Sequence, residues 1–104
     1  MKKRKKINTV LPLAIELLQK GHFVISEHAL LRQQERQLSL GDIRNILFTG
    51  YHEKKKDEYN DQYKDWNYAV CGQTLDREKA RICLAFDHTK LLIIITVIRL
   101  EKSQ

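Results

Sequence analysis

Cysteine is scarce in this chain. Cys71 and Cys83 are the only two, too few for a disulfide framework and, without a matching pair of histidines, too few for a zinc site. Both lie in strand-like runs, where a buried free thiol is the common outcome, and a cross-strand contact between them fits as well. One Pro and four Gly leave an ordinary compact globular chain. Long apolar runs are missing too. Residues 91–95 fall far short of the ~20 needed to span a bilayer. The apolar stretch behind the N-terminal lysines is short, holds Glu16 and lacks a small-residue cleavage site, so no secretory signal is expected. A cytoplasmic protein with no membrane partner follows as the expectation.

A basic face is also lacking, despite a formal charge of +6. Five of those charges sit at Lys2, Lys3, Arg4, Lys5 and Lys6, which leaves the rest of the chain at +1. Residues 1–6 read as a solvated, disordered tail that either raises non-specific affinity for nucleic acid or only aids solubility. Residues 7–104 are long enough for one core and therefore one domain.

Within that domain the turn and cap signals are legible. Asn8 or Thr9 can cap a first helix, with Pro12 in its first turn, Leu11, Ala14, Ile15 and Leu18 on one face, and Gly21 as a left-handed stop. Ser26 caps a second helix, and Ser39 with Asp42 approximates a capping box for a third that ends before Gly50. Residues 51–65 are mostly charged and polar, and fit one edge strand or a loop. Residues 66–72, 80–87 and 91–100 are rich in aromatic and branched side chains and read as antiparallel strands. A hairpin about His88 and Thr89 would set Phe86, Leu84 and Ile82 against Leu91, Ile93 and Ile95, with Arg81 across from Thr96. The expected fold is α+β: N-terminal helices followed by a three- to four-stranded antiparallel sheet.

The second helix carries the most chemistry. At about 100° per residue, His28, Arg32, Glu35 and Arg36 fall on one arc, while Leu30, Leu31 and Leu38 fall on another that can face a core. An imidazole, a carboxylate and two guanidiniums in one row are the groups that metal-free chemistry on a phosphodiester requires. A charged helix face is most often simply wet, and Glu35 can pair with Arg32 alone.

The run His28, Ala29, Arg32, Arg36, then a short capped helix ending at Thr49 and Gly50, a tyrosine-containing strand from Tyr68 to Gly72, and the closing strand from Ile94 to Val97 together resemble the bacterial domain-of-unknown-function family four-two-five-eight. The similarity covers residues 24–99. One departure is Gln37, where the family usually has Gly after the second Arg. The order of helices before sheet is similar to that of the small RelE-like ribonuclease toxins of toxin–antitoxin systems, and the resemblance implies that architecture and an endoribonuclease activity by analogy of fold.

Such an enzyme must deprotonate a 2′-hydroxyl, neutralise charge growing on phosphorus and protonate the leaving oxygen. His28 would be base or acid, since imidazole ordinarily exchanges its proton near neutral pH. Arg32 and Arg36 would hold the phosphate with forked donors, and Glu35 would orient His28, pair with an arginine or act as the base. Arg81, His88, Thr96 and Arg99 are the substrate-binding candidates from the sheet. No metal or cofactor is called for. The expected partners are RNA and an antitoxin protein that covers the row. A non-catalytic nucleic-acid-binding module and a protein-interaction domain remain open on the same residues.

Overall fold

The computed structural model describes residues 5–100, so Met1 to Arg4 of the basic tail and residues 101–104 lie outside the described residues. Helix α1 (Val10–Gln19) follows Thr9 and stops at Gly21, whose φ of 73° is the left-handed conformation that glycine adopts without strain. A short strand, β1 (Phe23–Ile25), leads directly into α2 (Glu27–Glu35). Ser26 caps α2 by accepting from the Ala29 N–H. Helix α3 (Leu40–Thr49) carries a full capping box, with Ser39 and Asp42 bonded reciprocally. Then come β2 (Tyr51–His52), a single 3-10 turn (Lys54–Lys56), β3 (Glu58–Asn60), β4 (Asp65–Gln73), β5 (Lys79–Phe86) and β6 (Leu92–Arg99).

The α+β class and the helix boundaries match the sequence, but the sheet is larger and not purely antiparallel. Six strands take part, in the order β1-β6-β5-β4-β2 with β3 also on β4, and β1 runs parallel to β6. The parallel edge exists because a three-residue strand enters α2 directly, and α2 then runs on along β6. Residues 51–65 supply two short strands and a turn in place of one edge strand or loop.

One face of the sheet meets α1 and α3. Val10, Ala14, Leu17, Ile43, Ile46 and Leu47 pack there against Tyr68, Val70, Ile82, Leu84, Phe86, Leu92, Ile94 and Val97, all buried. The other face, from Asn67 and Arg81 to Thr96, carries no helix among the described residues.

The β5–β6 register differs from the expected one. Asp87 closes the turn by accepting from the Thr89 N–H, the Thr89 hydroxyl and the Leu91 N–H at 2.7–2.9 Å, and Lys90 takes a φ of 63°. The turn therefore holds one residue more, and Phe86 faces Leu92, not Leu91. A bulge between Cys83 and Leu84 then absorbs Ile95, so that Ile82 faces Val97 and Arg81 faces Ile98. Leu92, Ile94 and Val97 form the buried face in place of Leu91, Ile93 and Ile95.

Helix α2 is rolled about its axis relative to the expectation. Ala29 is fully buried, whereas Leu30 and Leu31 are 45% and 55% exposed. The cause is the edge of β6 beyond its pairing with β1. There the Ser26 hydroxyl donates to the Ile95 carbonyl at 2.8 Å and the Arg36 Nη1 donates to the Val97 carbonyl at 3.2 Å. Unpaired edge carbonyls need donors. A leucine supplies none, so the small Ala29 and the polar side chains face the strand.

Gln37 closes α2 at a φ of 54°, the left-handed position where the family resemblance leads one to expect Gly. Its neighbour Leu38 donates back to the Gln33 carbonyl at 2.9 Å and buries its side chain. A side chain in that conformation carries a steric cost that glycine avoids. Gln37→Gly is expected to raise stability by roughly 0.5–1 kcal/mol, measured as a higher urea midpoint with an unchanged slope. A lower midpoint would contradict this account of the helix end.

Candidate active site

The row on α2 begins at the cap. His28 is exposed in the first turn, and Arg32 and Glu35 form an exposed ion pair at 3.4 Å. Such a pair is worth at most about 1 kcal/mol, so an incoming phosphate can compete for Arg32. Arg36 sits at the helix end, half-buried, with one of its five donors given to Val97. Arg36 thus ties the row to the β6 edge of the sheet, while His28, Arg32 and Glu35 stand toward solvent.

The sheet candidates do not gather at one point. Thr96 lies on the open face, opposite Cys83. His88 is exposed in the β5–β6 turn. Arg81 is on the open face at the far end of β5, where its Nε and Nη2 donate to both carboxylate oxygens of Glu53 at 2.6 and 3.2 Å. That hydrogen bond, against the opposing effect of burial, holds the Glu53 carboxyl below its ordinary range, and the same bond raises Arg81. Arg99 is on the helix-covered face, where its register partner is Ala80, and its Nε stands 3.5 Å from a Glu78 oxygen without the alignment of a hydrogen bond. It also lies near Asp42. Burial pushes the Asp42 carboxyl up, but hydrogen bonds from Ser39 and Leu75, with Arg99 adding attraction, bring it net below the usual value.

The open face does contain a cleft of about 530 Å³. Its apolar lining includes Ala85, Ile93 and Ile95 from the open face, and its polar lining Ser26, Asn60, Asn67, Asp87 and His88. Asn60 spends its carbonyl oxygen on the Gln62 and Tyr63 N–H groups, which aligns the side chain as a donor. The Leu91 and Thr89 hydrogen bonds hold the Asp87 carboxyl below its ordinary range. Ser26 belongs both to this lining and to the cap of α2.

Two groupings were not visible in the sequence. The Glu53–Arg81 pair joins residues 28 apart, and neither lies in a motif. Asp57 has a fully buried side chain that takes Lys6 Nζ at 2.8 Å, His52 Nε2 at 2.7 Å and the Ala69 N–H at 3.0 Å. Lys6 also lies 4.9 Å from the centre of the Trp66 ring, and the Ile7 N–H donates to the Tyr68 hydroxyl. The last tail residue is therefore pinned to the domain. The one available signal was an acidic residue following three lysines. Among the described residues no group of three or more His, Cys, Asp or Glu side chains is arranged to hold a metal ion, and no helix is long and apolar enough to cross a membrane.

Helices α1 and α3 on one face of a mixed sheet, with α2 along its β6 edge and the other face open, define a small α+β domain. Residues 25–99 match the family described as Domain of unknown function (DUF4258), and the chain belongs to that family. No curated protein and no solved structure matches it.

Proposed function

We propose that this protein is a small endoribonuclease that works without a metal, in the manner of the RelE-like toxins. A base occupies the cleft on the open face, and the adjoining phosphate lies against α2. The observation that carries this reading is the junction at Ser26, which is at once a wall of the cleft and the cap of the helix bearing His28 and Arg32. The carboxylates of Asp65 and Asp87 line the cleft and disfavour a phosphate there. The apolar lining and the amides of Asn60 and Asn67 suit a base, whose edges carry donors and acceptors.

His28 takes the proton of the 2′-hydroxyl as its oxygen bonds to phosphorus. The bond from phosphorus to the 5′-oxygen breaks, that oxygen takes a proton from water, a 2′,3′-cyclic phosphate remains, and His28 returns its own proton to the solvent. Arg32, released from Glu35, and the free donors of Arg36 neutralise the non-bridging oxygens. Exposed Leu30 and Leu31, beside the row on α2, support the further element of this proposal: an antitoxin protein that covers the helix.

The full chain in excess chelator is expected to cut single-stranded RNA and to spare a substrate with a 2′-deoxy sugar at the cut. His28→Ala should lower the rate roughly 10²- to 10⁴-fold at unchanged melting temperature, because the side chain is exposed. Intact RNA with the unaltered chain, or full activity in the variant, would reject the assignment. A second reading, binding without cleavage, is favoured by the ties of Arg32 to Glu35 and of Arg36 to Val97. It predicts protection of RNA without products.

A further inference from the structure

The sequence offers two lysine runs, one before Ile7 and one at residues 54–56, and the fold brings them together. Lys6 pairs with Asp57, the residue that ends the Lys54–Lys56 turn, so Lys5 emerges beside that turn. Lys5, Lys54, Lys55, Lys56 and Lys79 are all exposed. Lys56 and Lys79 both act on Glu53, which places the start of β5 at the same edge. Two of the nearby carboxylates are already paired, Asp57 buried on Lys6 and His52 and Glu53 held by Arg81, while Glu58 at the start of β3 is exposed. The expectation that the positive charge belongs to the tail alone is thus corrected, since the folded domain has a basic edge of its own.

Beside these cations Tyr51 is 55% exposed on the open face, opposite Cys71 and close enough to Arg81 and Glu53 to feel their charge. Cations interleaved with an exposed ring suit a polyanion that also carries flat bases. A membrane surface would call for an amphipathic helix with apolar residues to insert, and the 3-10 turn here is three lysines long with none.

We propose that this edge of the sheet docks the phosphate backbone of single-stranded nucleic acid, with Tyr51 as the platform on which one base stacks. The surface lies at the β2 end of the strand order, whereas α2 borders β6. Three strand spacings, about 15 Å, separate the two edges across the open face. A strand docked here can cross that face toward the cleft. The docking stands whether or not the protein cleaves what it holds.

The test is binding of labelled oligouridine, as RNA and as the DNA equivalent, to the full chain by fluorescence anisotropy over a series of potassium chloride concentrations. The triple variant Lys54→Glu, Lys55→Glu, Lys56→Glu should bind at least tenfold more weakly at low salt, and the slope of log affinity against log salt should fall by about 2. Tyr51→Ala should lose roughly fivefold or more with the slope unchanged. The DNA oligonucleotide, which has no 2′-hydroxyl to react, should show the same dependence on the three lysines and on Tyr51, so RNA left intact by the unaltered chain with this binding pattern kept removes only the enzymatic reading. Circular dichroism checks that each variant is folded. Wild-type affinity in the triple variant, or binding to phosphatidylserine vesicles in place of either oligonucleotide, would overturn the proposal.

Discussion

Gly72→Ala is expected to destabilise the fold by about 3 kcal/mol or more, enough to shift the melting temperature by roughly 10–20 °C in a domain of this size. A Cβ built at Gly72 stands 2.1 Å from the Ile46 carbonyl oxygen, 2.9 Å from its carbon and 3.0 Å from the Gly50 Cα. All three atoms are backbone, so no rotamer change relieves the clash. Helix α3 would have to lift off β4 and take Ile46 and Leu47 out of the core. Gly41→Ala is the matched control. Its Cβ meets only the ends of the Leu75 and Ser39 side chains, at 3.1 and 3.4 Å, and alanine favours a helix by up to about 1 kcal/mol. Urea denaturation of both variants checks the contrast. Equal midpoints would show that α3 does not approach the strand so closely.

The same close approach marks how far the sequence could be read. Ser26, Ser39 with Asp42, Gly21 and the three long strands were legible because caps, stops and branched runs act within a few residues. The β1 strand was not. Three residues give no periodicity to detect, and its partner is about seventy positions away in the chain. The hairpin register failed by one residue at the turn and by one more at the bulge, and each slip exchanges the two faces of a strand. Both depended on local choices, the triple use of Asp87 and the absorption of Ile95, that a pattern of apolar residues does not encode.

For the candidate site the limit lay in tertiary hydrogen bonding. Helical spacing groups His28, Arg32, Glu35 and Arg36 on one arc of α2, yet could not say which side of the helix faces the sheet. Leu30, Leu31 and Leu38 are the expected inner face, and of these only Leu38 is buried. The carbonyls of Ile95 and Val97 reversed the choice by requiring donors from Ser26 and Arg36. Sheet alternation also separates Arg81 from Arg99: they oppose Ile98 and Ala80, on opposite faces. The cleft at Ser26 could only be seen once β1, β6 and α2 were placed together.

Asp57→Ala carries the other large effect. In the folded chain this carboxylate, with no exposed side-chain surface, accepts from Lys6, His52 and the Ala69 N–H. Removing it leaves a buried imidazole and a strand amide without an acceptor, and breaking a buried charge pair from one side typically costs about 3–5 kcal/mol. Lys6 keeps about a third of its side chain in solvent and can swing outward, so the lower end of that range applies. Lys6→Ala should therefore cost much less, about 1 kcal/mol, and Asp57→Ala in a Lys6→Ala background should cost nearly as much as in the parent chain. A double-mutant cycle by urea denaturation measures this. If instead the two losses were equal and the second vanished once the first was made, the ion pair with the tail would be what Asp57 supplies. If they differ as expected, the carboxylate acts chiefly as the hub that ties His52 on β2 to the β4 backbone, and Lys6 is a strap added on top of it.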